Sequence, residues 1–269
     1  MDIRRIPSLL FLFLMTACSA SITPVADVNP DLENYFQGFD GAFVLYDMNN
    51  NHYTRYHPEK CAEQLLPAST FKIMSALIGL ETGAIPDENY ILAWDGTQYD
   101  YPVWNQDHTL KTAFRDSVVW YYQEVARRIG KEKMRQYIDA VGYGNQDITG
   151  NPDSFWLDGA IRISADEQVE LLKRLYEGDL PFSERSMTIV RAMMILETDG
   201  TYQLSGKTGS GLTDTLYVGW FVGYEEVAGN VYFFAVNITG SSPQAKGSKA
   251  KEILLDILQD QIVPDVKGE

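Results

Sequence analysis

The chain has 269 residues, enough for one large domain or two interleaved subdomains with a substantial core. With 45% hydrophobic and 22% charged residues and no low-complexity tract, its composition is that of an ordinary soluble globular protein. Its formal net charge of −15 argues against nucleic acid as a partner, because phosphate binding needs a basic stripe.

Residues 1–20 read as a signal peptide. Arg4 and Arg5 form a positive start, residues 6–15 are apolar, and small residues follow. The stretch is too short for an ordinary membrane-spanning helix. Met15-Thr16-Ala17-Cys18 has the form of a bacterial lipoprotein box, whose cleavage would leave a lipid anchor at Cys18. Cys18-Ser19-Ala20 offers ordinary cleavage instead. Both exits export the chain, and a Gram-negative periplasm is the expected compartment, with membrane anchoring if Cys18 is lipidated. Only Cys18 and Cys61 are present, so no disulfide framework is expected and Cys61 reads as a packed thiol.

Residues 21–30 read as a polar tether and 31–269 as the main domain. Glu33-Asn34-Tyr35-Phe36-Gln37-Gly38 spells a tobacco etch virus protease site, but it runs straight into a strand and is taken as part of the domain. Residues 41–47 and 52–57 form a predicted hairpin around the Asn49-Asn50-Asn51 turn. The patterning then predicts helices over 69–82 (ending at Gly83), 114–130, 131–141, 165–177 and 184–197. Strands return at 202–207, 217–224 and 231–238, and a last helix covers 249–261. Both chain ends therefore supply one central antiparallel sheet flanked by helices, with an all-helical subdomain beside it: an α+β or α/β sandwich with a cleft between layers.

Ser69 falls near a helix N-terminus, where backbone N–H groups and the helix dipole favour developing negative charge. Lys72, three residues on, shares its face and can take the Ser69 proton if it is not a plain ammonium. The pattern alone is weak: about one Ser-x-x-Lys is expected by chance in such a chain, and Ser248-Lys249-Ala250-Lys251 is another, with the look of a solvated helix start. Lys207-Thr208-Gly209, followed by Ser210, closes an extended segment. A cation, a hydroxyl and a bare backbone at a sheet edge suit a carboxylate-bearing, amide-like substrate lying alongside. Its bland reading is a strand ending in a turn. Tyr143-Gly144-Asn145 reads equally as a helix C-cap, and Phe155-Trp156-Leu157 as core. His52, His57 and His108 have no ligand spacing, so no metal site is predicted.

Taken in order, Ser69-Thr70-Phe71-Lys72, Ser117-Val118-Val119, Tyr143-Gly144-Asn145, Phe155-Trp156-Leu157 and Lys207-Thr208-Gly209 make the chain resemble the class D (oxacillinase-type) serine β-lactamases. The resemblance runs from Gly38 to the last helix and includes the string from Leu66 to Lys72 and that from Tyr217 to Gly223. Class A enzymes carry Ser-Asp-Asn where this chain has Ser117-Val118-Val119.

The resemblance implies a β-lactamase/transpeptidase-like fold and a hydrolase that confers β-lactam resistance through an acyl-Ser69 intermediate. It implies carbon dioxide held as N6-carboxylysine at Lys72, the general base, in a pocket of Phe71, Val119, Trp156 and Leu157, with the Trp156 indole N–H holding the carbamate. Burial among such neighbours lowers a lysine pKa. Ser117 would relay a proton to the lactam nitrogen, the backbone N–H groups of Ser69 and Ser210 would hold the oxyanion, and Lys207 and Thr208 would bind the substrate carboxylate. Tyr143, Gly209 and Asn145 are assigned to substrate binding. Many family members also place an arginine in the C-terminal region. Here Lys246 stands nearest, a point charge rather than a planar fork. The rival readings are a penicillin sensor that stays acylated at Ser69 and a D,D-peptidase.

Overall fold

The computed structural model describes residues 26–28 and 30–261. The predicted leader, Cys18 and the chain end lie outside them. Among the described residues no helix is long and apolar enough to cross a membrane.

The elements run β1 (Ala26–Val28), β2 (Asp40–Asp47), β3 (His52–Tyr56), α1 (Pro58–Cys61), α2 (Lys72–Glu81), β4 (Ile91–Leu92), β5 (His108–Thr109), α3 (Leu110–Arg115), α4 (Val119–Ile129), α5 (Lys131–Val141), α6 (Phe155–Asp158), α7 (Ala165–Glu177), α8 (Glu184–Met194), β6 (Ile195–Thr198), β7 (Tyr202–Leu212), β8 (Tyr217–Val227), β9 (Asn230–Gly240) and α9 (Gly247–Gln261). Short 3-10 turns occupy Pro30–Phe36, Ala68–Phe71 and Pro102–Trp104. Seven strands form one sheet in the order β1-β3-β2-β9-β8-β7-β6, so strands from both ends of the chain meet at the β2–β9 pair. One strand departs from the antiparallel pattern. β1, inside the stretch read as a tether, runs parallel to β3.

Period-two alternation gives the sheet two apolar faces. Trp220, Val222 and Tyr224 of β8 join the large core formed with the helical middle. Phe221 and Val227 face the other way, onto α9 and the turn at Pro30–Phe36. That turn contains most of the protease-like string. Leu32 and Phe36 are buried in this second core, and Phe36 stacks on Tyr56 at 4.6 Å, so the segment is structural.

Two predicted helices are corrected. The one expected over 114–130 is two, because Ser117 adopts φ 57° and breaks the chain between α3 and α4. The first begins earlier than its apolar pattern suggests, where Thr109 and Thr112 cap each other reciprocally. The helix expected over 184–197 stops at Met194, and Ile195–Thr198 leaves as β6 to pair with β7. The competing principle is tertiary: an unpaired strand edge draws in a neighbour that local propensity alone would leave helical.

Glu225 is an anomaly in the second core. It is 2% exposed on the α9 face of β8, opposite Leu204 and Tyr232, and its Oε2 has no hydrogen-bond partner among the described residues. Burial pushes its carboxyl up to about 7. A carboxyl raised in the folded state contributes stability below its unfolded pKa and loses it as pH climbs through the folded value. A rise from 4.5 to about 7 corresponds to about 3 kcal/mol. Glu225→Gln is therefore expected to gain about that much over the parent between pH 5 and pH 8.5 in urea titrations. A gain that did not depend on pH would contradict this.

Candidate active site

The nucleophile turn begins at Leu66-Pro67, whose backbone is held from the sheet: Trp220 Nε1 of β8 donates to the Leu66 carbonyl at 2.9 Å. Ala68 then takes φ 48°, a left-handed conformation that costs a non-glycine residue of order 1–3 kcal/mol. This kink turns Ser69 into the 3-10 turn that runs on into α2. Thr70 locks the turn, its Oγ1 donating to the Pro67 carbonyl at 2.7 Å and accepting from Gln168 Nε2 at 2.9 Å. Ala68, Gln168 and Trp220 are thus positioning residues that the motif analysis missed. An alanine carries no sequence signal of positive φ.

Lys72 Nζ lies 2.7 Å from Ser69 Oγ, as helical spacing predicts. The lysine is fully buried, and no carboxylate pairs with it among the described residues. Burial first, then the nearby Lys207 ammonium, hold its amine well below the usual lysine range. Around it stand apolar and aromatic groups. The Tyr122 ring centroid is 5.4 Å from Nζ, and Phe71 stacks on Trp156 at 5.6 Å and 17°. Trp156 is fully buried, yet its Nε1–H has no hydrogen-bond partner among the described residues. An orphaned buried donor costs about 1–3 kcal/mol, and such groups concentrate where a partner is to be received. Leu157 and Val119 are half-buried, Val119 opening α4 directly after the Ser117 kink.

The second hydroxyl meets the second lysine across 90 residues. Lys207 Nζ donates to Ser117 Oγ at 3.0 Å and to the Thr208 carbonyl at 3.1 Å. Burial brings the Lys207 amine down to about 7. β7 runs beside the nucleophile turn so tightly that a Cβ on Gly209 would lie 3.0 Å from the Pro67 carbonyl oxygen and 3.2 Å from the Thr70 nitrogen. Glycine at this position lets the two backbones approach. Ser210 turns its hydroxyl to accept the Gly247 N–H at 2.9 Å, leaving only its backbone for the site. Lys246 is exposed, with its backbone against Gly219, the β8 partner of Ser210. It therefore stands at the same end of β7 as the nucleophile turn.

Two residues assigned to substrate binding already have partners within the protein. Tyr143 is 2% exposed and packs edge-on against Phe71 at 5.4 Å, behind the nucleophile turn. Asn145 spends its side chain on a loop, donating to the Ala160 carbonyl at 2.8 Å and accepting from the Arg162 and Asp147 N–H groups. Between them Gly144 has φ 51°, and a Cβ there would lie 1.9 Å from the Arg162 carbonyl oxygen. The trio forms a glycine-dependent brace for the loop.

The remaining reactive side chains serve packing. Cys61 is buried with its thiol directed at the Phe43 and Tyr56 carbonyls, and burial pushes it up to about 12. His108 bonds the Thr112 hydroxyl and the Val103 carbonyl.

Comparison with known proteins agrees with this geometry. The model of the penicillin binding protein transpeptidase domain matches residues 41–259. The chain is 43% identical over 227 residues to β-lactamase OXA-48 of Klebsiella pneumoniae, covering 83% of this chain and 84% of the relative. It is 41% identical over 245 residues to regulatory protein BlaR1 of Bacillus licheniformis, covering 88% of this chain but only 40% of that longer protein. The solved class D β-lactamase YbXI from Nostoc superposes with a TM-score of 0.82 at 43% identity, over 87% of this chain and 98% of that one. With a buried serine–lysine pair set against a Lys-Thr-Gly strand, on this sheet and in this order, the chain belongs to the penicillin-binding transpeptidase-domain family, among the class D β-lactamases.

Proposed function

We propose that the protein is a serine β-lactamase that opens the β-lactam amide through an acyl-Ser69 intermediate. The observation that carries this is the fully buried Lys72 amine 2.7 Å from Ser69 Oγ, with no carboxylate paired with it among the described residues. A lysine kept neutral by burial is a base rather than a counter-ion. Ser69 attacks the lactam carbonyl, and the backbone N–H groups of Ser69 and Ser210 hold the oxyanion. Ser117, in contact with Lys207, hands a proton to the departing nitrogen. Lys207 and Thr208 bind the substrate carboxylate, with Lys246 in place of the arginine common in the family.

The pocket also suits carbon dioxide bound covalently to Lys72. The amine is neutral enough to add it, and the orphaned Trp156 N–H is a ready donor to the resulting carboxylate. Bound there, the group would supply a carboxylate-type base for both acylation and deacylation. On this reading the chain is exported and protects its host from β-lactams.

A chromogenic cephalosporin mixed with the purified protein, with and without bicarbonate, tests the reading. Steady turnover that rises with bicarbonate is expected. The likeness to BlaR1 favours one alternative, a receptor that is acylated and stays so. A single stoichiometric burst without turnover would decide for it.

A further inference from the structure

Past Lys207 and Thr208 the site opens into a second cavity of about 320 Å³ between α3, the α8–β6 junction and α9. It exists because β6 covers β7 only as far as Ser205, the partner of Ile195, leaving β7 without a strand neighbour on that edge from Gly206 onward. The chain as a whole is acidic, with 37 Asp and Glu against 22 Lys and Arg. This cavity reverses the balance: Lys111, Arg115, Lys207 and Lys251 all line it, and no carboxylate does among the described residues. Arg115 is held by Asp116 at 2.7 Å, which lies outside the lining, and Lys207 faces Ser117, so the excess charge for a second anion rests on Lys111 and Lys251. Two of the lining lysines stand over wall aromatics, Lys207 Nζ at 5.7 Å from the Phe114 ring centroid and Lys251 Nζ at 5.6 Å from that of Phe221. The outer lip is apolar, with Ile195 and Leu196 exposed by 39% and 45%.

From this arrangement we infer that the cavity receives an anionic group on an apolar arm, carried by the substrate next to the carboxylate that Lys207 and Thr208 hold. The inference rests on the proposed acylation of Ser69 by β-lactams. In a cephalosporin the ring carbon bearing the carboxylate is bonded to the carbon bearing the variable arm. An arm starting there begins at the mouth of the cavity, runs along the apolar lip and Phe114, and ends near Lys111 and Lys251. Dianionic cephalosporins are thereby selected over monoanionic ones. Opposite charge in a partly enclosed, low-dielectric pocket is screened less than at an open surface.

The test compares two cephalosporins that share one acylamino side chain, one with a sulfonate-terminated arm at the carbon beside the carboxylate-bearing carbon and the other with a neutral sulfone arm. The second-order rate constant for acylation of Ser69 is followed by mass spectrometry of the intact protein, which reads acylation whether or not turnover follows. The sulfonate compound is expected to acylate about ten-fold faster, with the advantage shrinking as salt rises. In the Lys111→Gln/Lys251→Gln double variant the ratio should fall to near one. The neutral compound should keep its rate, which also reports that the variant is folded. Equal rates in the parent protein, or a preference that survives in the double variant, would overturn the inference alone. Absence of acylation by both compounds would overturn the β-lactam reading, and this inference with it.

Discussion

Lys72→Ala is expected to lower steady β-lactam turnover by about 10²–10⁴-fold and to leave protein trapped as acyl-Ser69. Among the described residues, the basic group within hydrogen-bond reach of Ser69 Oγ is the Lys72 amine, at 2.7 Å. On the proposed mechanism Lys72, carrying carbon dioxide, would serve both halves of the reaction, taking the proton as the serine attacks and activating water as the ester is released. Acylation should be slowed, since a strained β-lactam can still be opened with help from the oxyanion donors and Ser117. Deacylation has no such assistance and should be lost. The variant is expected to fold. Lys72 is buried without a counter-charge, so its ammonium form is penalised in the native state and removing it relieves that cost. Lys72→Met, which fills the same volume, should show the same kinetics with a melting temperature at or above the parent's. Mass spectrometry of the trapped ester and stopped-flow acylation measure the two halves separately. Unchanged turnover in either variant would remove Lys72 from the mechanism.

Trp156→Phe is expected to have the second-largest effect, a loss of about 100-fold in turnover, with a ¹³C carbamate signal on Lys72 that is present in the parent at neutral pH and absent in the variant. Phenylalanine keeps an aromatic ring against Phe71 and Phe155, whose centroids lie 5.6 and 5.2 Å from that of Trp156. What it deletes is the buried N–H that has no partner among the described residues. Losing ring volume costs stability, while removing an orphaned donor restores some of it, so the two effects oppose and folding should survive. Partial rescue of activity by concentrated bicarbonate would mark a weakened hold on the carboxylated lysine. A carbamate signal of undiminished size in the variant would show that the indole N–H does not hold it.

The outline of the fold was legible because it rests on patterns with short range. Lys131–Val141 and Ala165–Glu177 were predicted at their observed bounds, since an apolar stripe at helical spacing needs only one face to bury. Apart from β6, the strands of the C-terminal half were found but made too short: β7 runs on to Leu212 through Gly209, Ser210 and Gly211, residues of low strand propensity held straight by β8. The break at Ser117 was invisible for a related reason. Nothing in Arg115-Asp116-Ser117-Val118 disfavours a helix strongly, and the positive φ persists because Lys207 and the surrounding core over-determine that turn. For Tyr143 and Asn145, assigned to substrate binding by the resemblance, the structure adds contacts that no motif carries, to Phe71 and to the loop at Ala160–Arg162.

By itself the sequence determined the serine, the lysine one turn behind it and the hydroxyl-rich strand that follows, because residues three apart in a helix must share a face whatever the rest of the chain does. Only the tertiary structure decided that burial holds the lysine amine well below its usual range, that Ser117 meets Lys207, and that the Trp156 N–H has no partner among the described residues. It also decided that an acidic chain brings Lys111, Lys207 and Lys251 around one cavity. Protonation and hydrogen-bond satisfaction depend on which distant segments exclude water from a group and which supply it with a partner, and neither is set until the sheet and helices close over it.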